Sequence, residues 1–175
     1  MDRTLEAALV QRAREGSDVA FSRLVADSQA AVRGFLRRLA PNPADADDLA
    51  QEAFVTAWGH LAKLRDGTGF RTFVCGIAYR KALNDRRRFA RASARDTAWY
   101  ELTPQTAKPG NDERLSVQAA LQTLPIDVRA AVSLCIAGDY SHSEAAEILA
   151  LPLGTIKSHI QKGRDKLNGL LGVGS

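Results

Sequence analysis

Seven cationic side chains, Arg80, Lys81, Arg86, Arg87, Arg88, Arg91 and Arg95, fall within sixteen residues that hold a single acid, Asp85. Such a run repels itself, and phosphate contacts with counterion release are the chemistry that would relieve it. A solvated helix end is the alternative that charge alone leaves open. Phe70, Phe73 and Tyr79 stand just upstream, where ring faces could take unstacked bases, although residues such as Phe70 and Phe73 are more often core. A second group lies near the C-terminus: Lys157, Ser158, Gln161, Lys162 and Arg164 recur along one side of a helical pattern, with His159 at its edge. These are donors suited to phosphate oxygens and base edges. A third group is acidic. Asp45, Asp47, Asp48 and Glu52 have no Lys or Arg among them between Pro43 and Trp58, so this stretch repels DNA and suits a basic protein surface. First-turn aspartates also complement a helix dipole, and spacing does not separate the two roles.

Little here suits catalysis. His60, His142 and His159 are far apart in sequence, and there is no Cys-x-x-Cys, no His-Glu-x-x-His and no Gly-rich phosphate loop. The sequence therefore predicts a protein that is not an enzyme and uses neither metal nor cofactor. Cys75 and Cys135 each sit within a helical pattern, which favours reduced, packed thiols and a cytoplasmic protein. The first fifteen residues carry charges without an apolar run between them, unlike a signal peptide. The longest weakly polar run, Ala130 to Gly138, is too short for membrane insertion. With 175 residues and 45% hydrophobic side chains the chain can build one core or two small ones. Its 24 basic and 20 acidic residues leave a net charge of only +4, so the segregation of charge matters more than its sum.

Helical elements must position these groups. Phe21, Leu24, Val25, Val32, Phe35, Leu36 and Leu39 trace one helical face, with Ser28 its single polar interruption. Asn42 and Pro43 read as the N-cap and first position of a second helix, burying Leu49, Ala53, Ala57 and Trp58. A third helix begins near Phe70 and runs through Phe73 and Ile77 toward Phe89. From Thr97 to Asp112 periodicity stops, and Pro104 and Pro109 forbid a continuing helix. Four further helices follow, over about 113–124, 125–137, 142–149 and 153–171. Ser141 and Glu144 form a capping box at the third of these. The break at Ala150-Leu151-Pro152, and then Ile156, Ile160, Gly163 and Leu167 on one face, make the last two a helix-turn-helix pattern. Periodicity alone also admits an ordinary helical hairpin. No stretch alternates as a strand would, so the fold class expected is all-α: two small helical domains, 1–96 and 113–175, joined by a flexible linker, 97–112.

Two motifs, taken together, resemble the sigma-70 family in its extracytoplasmic-function branch. Asp45-Ala46-Asp47-Asp48-Leu49-Ala50-Gln51-Glu52-Ala53-Phe54 is similar to the region 2 helix that such factors press against core RNA polymerase. Gly154-Thr155-Ile156-Lys157-Ser158, following Leu124-Pro125 and Ser143-Glu144-Ala145-Ala146-Glu147-Ile148-Leu149, is similar to their region 4 reader of the minus-35 element. The resemblance implies a transcription initiation factor whose partners are core RNA polymerase, promoter DNA and an anti-sigma factor. It implies polymerase binding by Asp47, Asp48, Leu49, Gln51, Glu52 and Phe54. It implies minus-10 recognition by Phe70, Arg71, Tyr79, Arg80, Lys81, Asn84, Arg86, Arg87 and Arg88, and minus-35 recognition by Thr155, Lys157, Ser158, His159, Gln161, Lys162 and Arg164. The chain departs from the family pattern at Phe73-Val74, at Arg80 and Asn84, and at His159 and Gln161-Lys162-Gly163. Ala150 takes a turn position where Gly or Asn is usual. The rival expectation is a helix-turn-helix regulator of the response-regulator output type, which Thr155 to Ile160 with Lys166-Leu167 also resembles.

Overall fold

A computed structural model describes residues 1–96 and 113–172, with side chains over 1–92 and 117–172. The linker expected at 97–112 lies outside the described residues. The described elements are α1 (Arg3–Arg14), α2 (Asp18–Leu39), α3 (Pro43–Gly59), a 3-10 turn (Leu61–Lys63), α4 (Phe70–Asp96), α5 (Glu113–Gln122), α6 (Ile126–Cys135), α7 (His142–Leu149) and α8 (Leu153–Leu171). The all-α expectation holds throughout them. Among the described residues no helix is long and apolar enough to cross a membrane.

Local chemistry accounts for the helix boundaries. Ser17 accepts from the Ala20 N–H at 3.3 Å and starts α2; Asn42 accepts from the Asp45 N–H at 2.9 Å and starts α3, with Pro43 as its first residue. The capping box is complete, with Glu144 N–H donating to Ser141 Oγ at 3.1 Å and Ser141 N–H donating to Glu144 Oε2 at 2.8 Å. Ser28 is buried on the apolar stripe of α2, and its hydroxyl donates to the Leu24 carbonyl at 2.6 Å, which removes the cost of burying it. Three expectations need correction. Helix α1 was not anticipated. Phe89 is 77% exposed and belongs to no core, and Trp58 is 39% exposed and lines a groove.

α2 packs against α1, α3 and α4, and α6 packs against α7 and α8, with α5 on α8. Phe35, Phe70, Leu24, Leu36 and Val74 are fully buried in the first group, Leu134, Ile148 and Ile156 in the second. The two groups share one apolar cluster, because α4 lies on α7 and α2 on α6. Polar contacts reinforce that packing. Carbonyls at the C-terminal end of α2, which no helical N–H can satisfy, accept from the second group instead. Gln118 Nε2 donates to Arg37 O at 2.9 Å, Gln122 Nε2 to Ala40 O at 3.2 Å, and Arg129 Nη1 to Leu39 O at 2.9 Å. Arg129 also donates to Gln122 and Leu124. Burial in this apolar setting lowers the guanidinium's pKa from its ordinary value, with Arg86 adding to the effect.

Candidate polymerase and nucleic-acid interfaces

Helices α2 and α3 enclose a groove of about 750 Å3. Phe21, Val25, Phe54 and Trp58 supply its apolar floor, and Asp18, Asp47, Asp48 and Gln51 its rim, where three acids outnumber the single cation, Arg33. The Phe21 and Trp58 rings meet with centroids 4.6 Å apart, which holds the indole open to one side. Two acids of α3 are already paired, Asp47 with Arg37 at 3.2 Å and Glu52 with Lys81 at 3.6 Å. Asp48 has no ion-pair partner among the described residues and stands exposed. Leu49, expected at the interface, is a core residue instead, while Phe54 is buried yet lines the groove. Phe21 and Trp58 were not expected to face a partner, and no local signal marks them, since the two rings pair only when α2 and α3 pack together.

A second groove, of about 500 Å3, runs along α4. Arg80, Lys81 and Asn84 from α4 line it, joined by His60, Lys63, Arg65 and Thr68 from the segment between α3 and α4. Sequence reasoning did not connect that segment with α4, since the groove exists only when the two are brought together. Beyond it Arg86, Arg87, Arg88 and Arg91 all stand exposed; the Arg95 side chain lies outside the described residues. Phe70 and Tyr79, expected to meet bases, are 1% and 5% exposed and form part of the core. Only Phe73 of the three aromatics lines the groove. Arg71 is engaged elsewhere, with its guanidinium 4.4 Å from the ring centroid of Tyr140. The Tyr140 hydroxyl lies 3.0 Å from the Cys75 Sγ. Burial pushes the Cys75 thiol up to about 11, with the Tyr140 hydrogen bond and Arg71 and Arg38 acting the other way.

Helix α8 divides as its sequence predicts. Ile156, Ile160 and Gly163 are buried, while Lys157, Ser158, Gln161, Lys162 and Arg164 stand exposed on one side and Thr155 is half-buried. His159 departs from the expectation: it turns inward, its Nε2 3.2 Å from Asp127 Oδ2 on α6, and so ties α8 to its own domain. Gly163 is required by packing, since a Cβ there would lie 2.3 Å from Val132 Cγ2. Backbone α7-turn-α8 thus presents a basic helix face from a rigid support, the arrangement that enters a major groove.

The described residues are helical, with a groove between α2 and α3, a second groove along α4 and a helix-turn-helix, and comparison with known proteins gives the class to which such a chain belongs. Residues 24–92 match Sigma-70 region 2 and residues 114–167 match Sigma-70, region 4. The RNA polymerase sigma factor CarQ of Myxococcus xanthus is 34% identical over 93% of this chain and 95% of its own. The ECF RNA polymerase sigma-E factor of Escherichia coli K12 is 28% identical over 91% of each. Among solved structures, the sigma factor RpoE in complex with the anti-sigma factor NepR from Bartonella quintana is similar with a TM-score of 0.77. That likeness holds at 25% identity, covering 89% of this chain and 98% of RpoE. The chain belongs to the sigma-70 family, in its extracytoplasmic-function branch, whose members direct core RNA polymerase to promoters. The match of residues 24–92 to region 2 sets aside the response-regulator expectation, which needs a receiver or sensing domain there.

Proposed function

We propose that this sigma factor docks core RNA polymerase in the α2–α3 groove, takes the minus-10 strand along α4, and reads minus-35 with α8. Asp48, Gln51 and Phe54 are the groove residues that carry docking, with Asp47 and Glu52 supplying field. Arg80, Lys81, Asn84, Arg86, Arg87 and Arg88 carry the minus-10 contacts, and His60, Lys63, Arg65 and Thr68 join them. Lys157, Ser158, Gln161, Lys162 and Arg164 carry minus-35, with Thr155 at the helix start. Residues 1–96 and 113–175 act as two domains that separate at 97–112 when polymerase binds. The protein acts in the cytoplasm, performs no catalysis of its own, and is held inactive by an anti-sigma factor of the kind seen with RpoE.

The observation that carries this reading is the opposition of charge between surfaces: acid beside an open aromatic groove on α2–α3, exposed base on α4 and α8. An acidic rim over an apolar floor suits a basic helical partner, since the charge steers encounter and the rings supply burial. DNA is excluded from that face by the same charge. Reversing the unpaired acid, Asp48→Lys, removes the complementarity without touching the core. Pull-down of core polymerase is expected to fall several-fold for the variant while its circular dichroism matches wild type. Equal recovery would mean that α3 is only a structural helix.

A further inference from the structure

We propose that α1 is a positioning element for promoter melting, in which Glu6 and Arg14 fix both ends of the loop that walls the cationic groove. This rests on the reading of that groove as the minus-10 site. The loop, residues 60–69, carries Lys63, Arg65 and Thr68 into the groove opposite Arg80. By itself it is weakly determined. It holds one 3-10 turn, a glycine at φ +85 (Gly67), and few backbone hydrogen bonds of its own. Its apolar anchors, Leu61 and Leu64, are buried. Leu61 O accepts from the Leu64 N–H at 3.2 Å, but Leu64 O has no backbone donor among the described residues, and Arg14 of α1 serves both: Nη2 donates to Leu64 O and Nε to Leu61 O at 3.3 Å. Arg14 Nη1 also lies 3.8 Å from Asp66 on the same loop.

The other end of the loop is tied in the same way. Helix α4 opens at Phe70, and the residue ahead of it, Gly69, has no side chain with which to cap it. The Phe70 N–H donates instead to the Glu6 carboxylate, sixty-four residues earlier in sequence. A carboxylate at that end also complements the dipole of α4. Glu6 and Arg14 are eight residues apart on one helix, about 12 Å at 1.5 Å per residue, so α1 acts as a ruler between the loop's two ends. Helix α1 is held by a separate set of residues, Leu9, Val10 and Ala13, packed against α2. Stability and positioning therefore reside in different side chains of α1. The family match begins at residue 24 and leaves α1 outside it.

The test uses holoenzyme reconstituted from the full chain and core polymerase, with permanganate reactivity of minus-10 thymines as the readout of melting. Glu6→Ala and Arg14→Ala are expected to slow melting roughly tenfold, the scale of one lost contact, at unchanged affinity for core polymerase. Glu6→Gln and Arg14→Lys, which keep an acceptor and a donor, should recover part of it. Leu9→Ala, studied where its thermal destabilisation matches theirs, should melt the promoter as wild type does. Wild-type melting by Glu6→Ala and Arg14→Ala would overturn the proposal, as would an equal loss in Leu9→Ala. Arg65→Ala combined with Arg80→Ala separates the two claims. If that variant loses melting while the α1 variants do not, only the clamp fails; if it melts normally, the groove itself is not the strand's site.

Discussion

Lys162 and Arg164 stand on the open side of α8 while Ile160, on the same helix, is 7% exposed beneath them. Mutation should separate these roles. Lys162→Ala and Arg164→Ala are expected to leave the thermal melt unchanged, whereas Ile160→Ala should lose roughly 2–5 kcal/mol, the range for truncating a buried aliphatic side chain. Gly163→Ala belongs with the second kind. Its methyl would overlap Val132, and displacing that side chain is expected to cost about 1–3 kcal/mol, measured by denaturant unfolding. Individual residues also show where type misleads. Phe70 and Tyr79 were candidates for base stacking because they are aromatic and adjacent to base, but α4 turns them into the core. Only the phase of α4 against α2 and α3 decides this, and phase is a tertiary property.

Much of the element scale was legible. The stripe of α2 with its one serine, the Asn42-Pro43 start of α3 and the Ser141–Glu144 capping box each state their structure locally, and each is found. Helix α1 escaped because charged residues interrupt its short apolar set, Leu5, Leu9, Val10 and Ala13, and Asp2 makes no side-chain cap. The cationic groove escaped for another reason: its residues come from α3, the loop, α4 and α7, and no local pattern joins them. The turn of the helix-turn-helix carries its own prediction. Ala150 ends α7 at φ +52, a left-handed conformation that costs a residue with a Cβ about 1 kcal/mol. Ala150→Gly is expected to raise stability by roughly 0.5–1 kcal/mol, the smaller end reflecting the entropy glycine loses on folding. An unchanged or lowered melting temperature would show that the turn is not strained.

At the scale of the molecule the two domains are closed on each other. Arg129, Gln118 and Gln122 cap the end of α2, Tyr140 covers Cys75 and engages Arg71, and Glu147 of α7 reaches the cationic groove, accepting from Thr68 Oγ1 at 2.7 Å. Gln118, Gln122 and Arg129 read as surface residues in the sequence, because their carbonyl partners at the end of α2 lie some eighty to ninety residues away. With a carboxylate standing in the groove proposed for the minus-10 strand, the free protein is expected to bind promoter DNA weakly. Sharp, two-fold symmetric footprints by the protein alone would count against this. The same closure makes Cys75 a reporter. Fully buried and with its thiol pushed up to about 11, it should resist alkylation at neutral pH in free Cys135→Ser protein. Core polymerase should accelerate its labelling if docking separates the domains; protection that persists in the holoenzyme would mean that they stay together. The most direct measurement is run-off transcription by core polymerase with wild-type protein or the Lys162→Ala, Arg164→Ala double variant, on a promoter whose minus-35 element is intact or scrambled. Initiation by the wild type on the intact promoter, reduced roughly tenfold or more by either the double substitution or the scrambling, is the expected result. Failure of the wild type to initiate with core polymerase, or equal transcription by the variant on the intact promoter, would contradict the account.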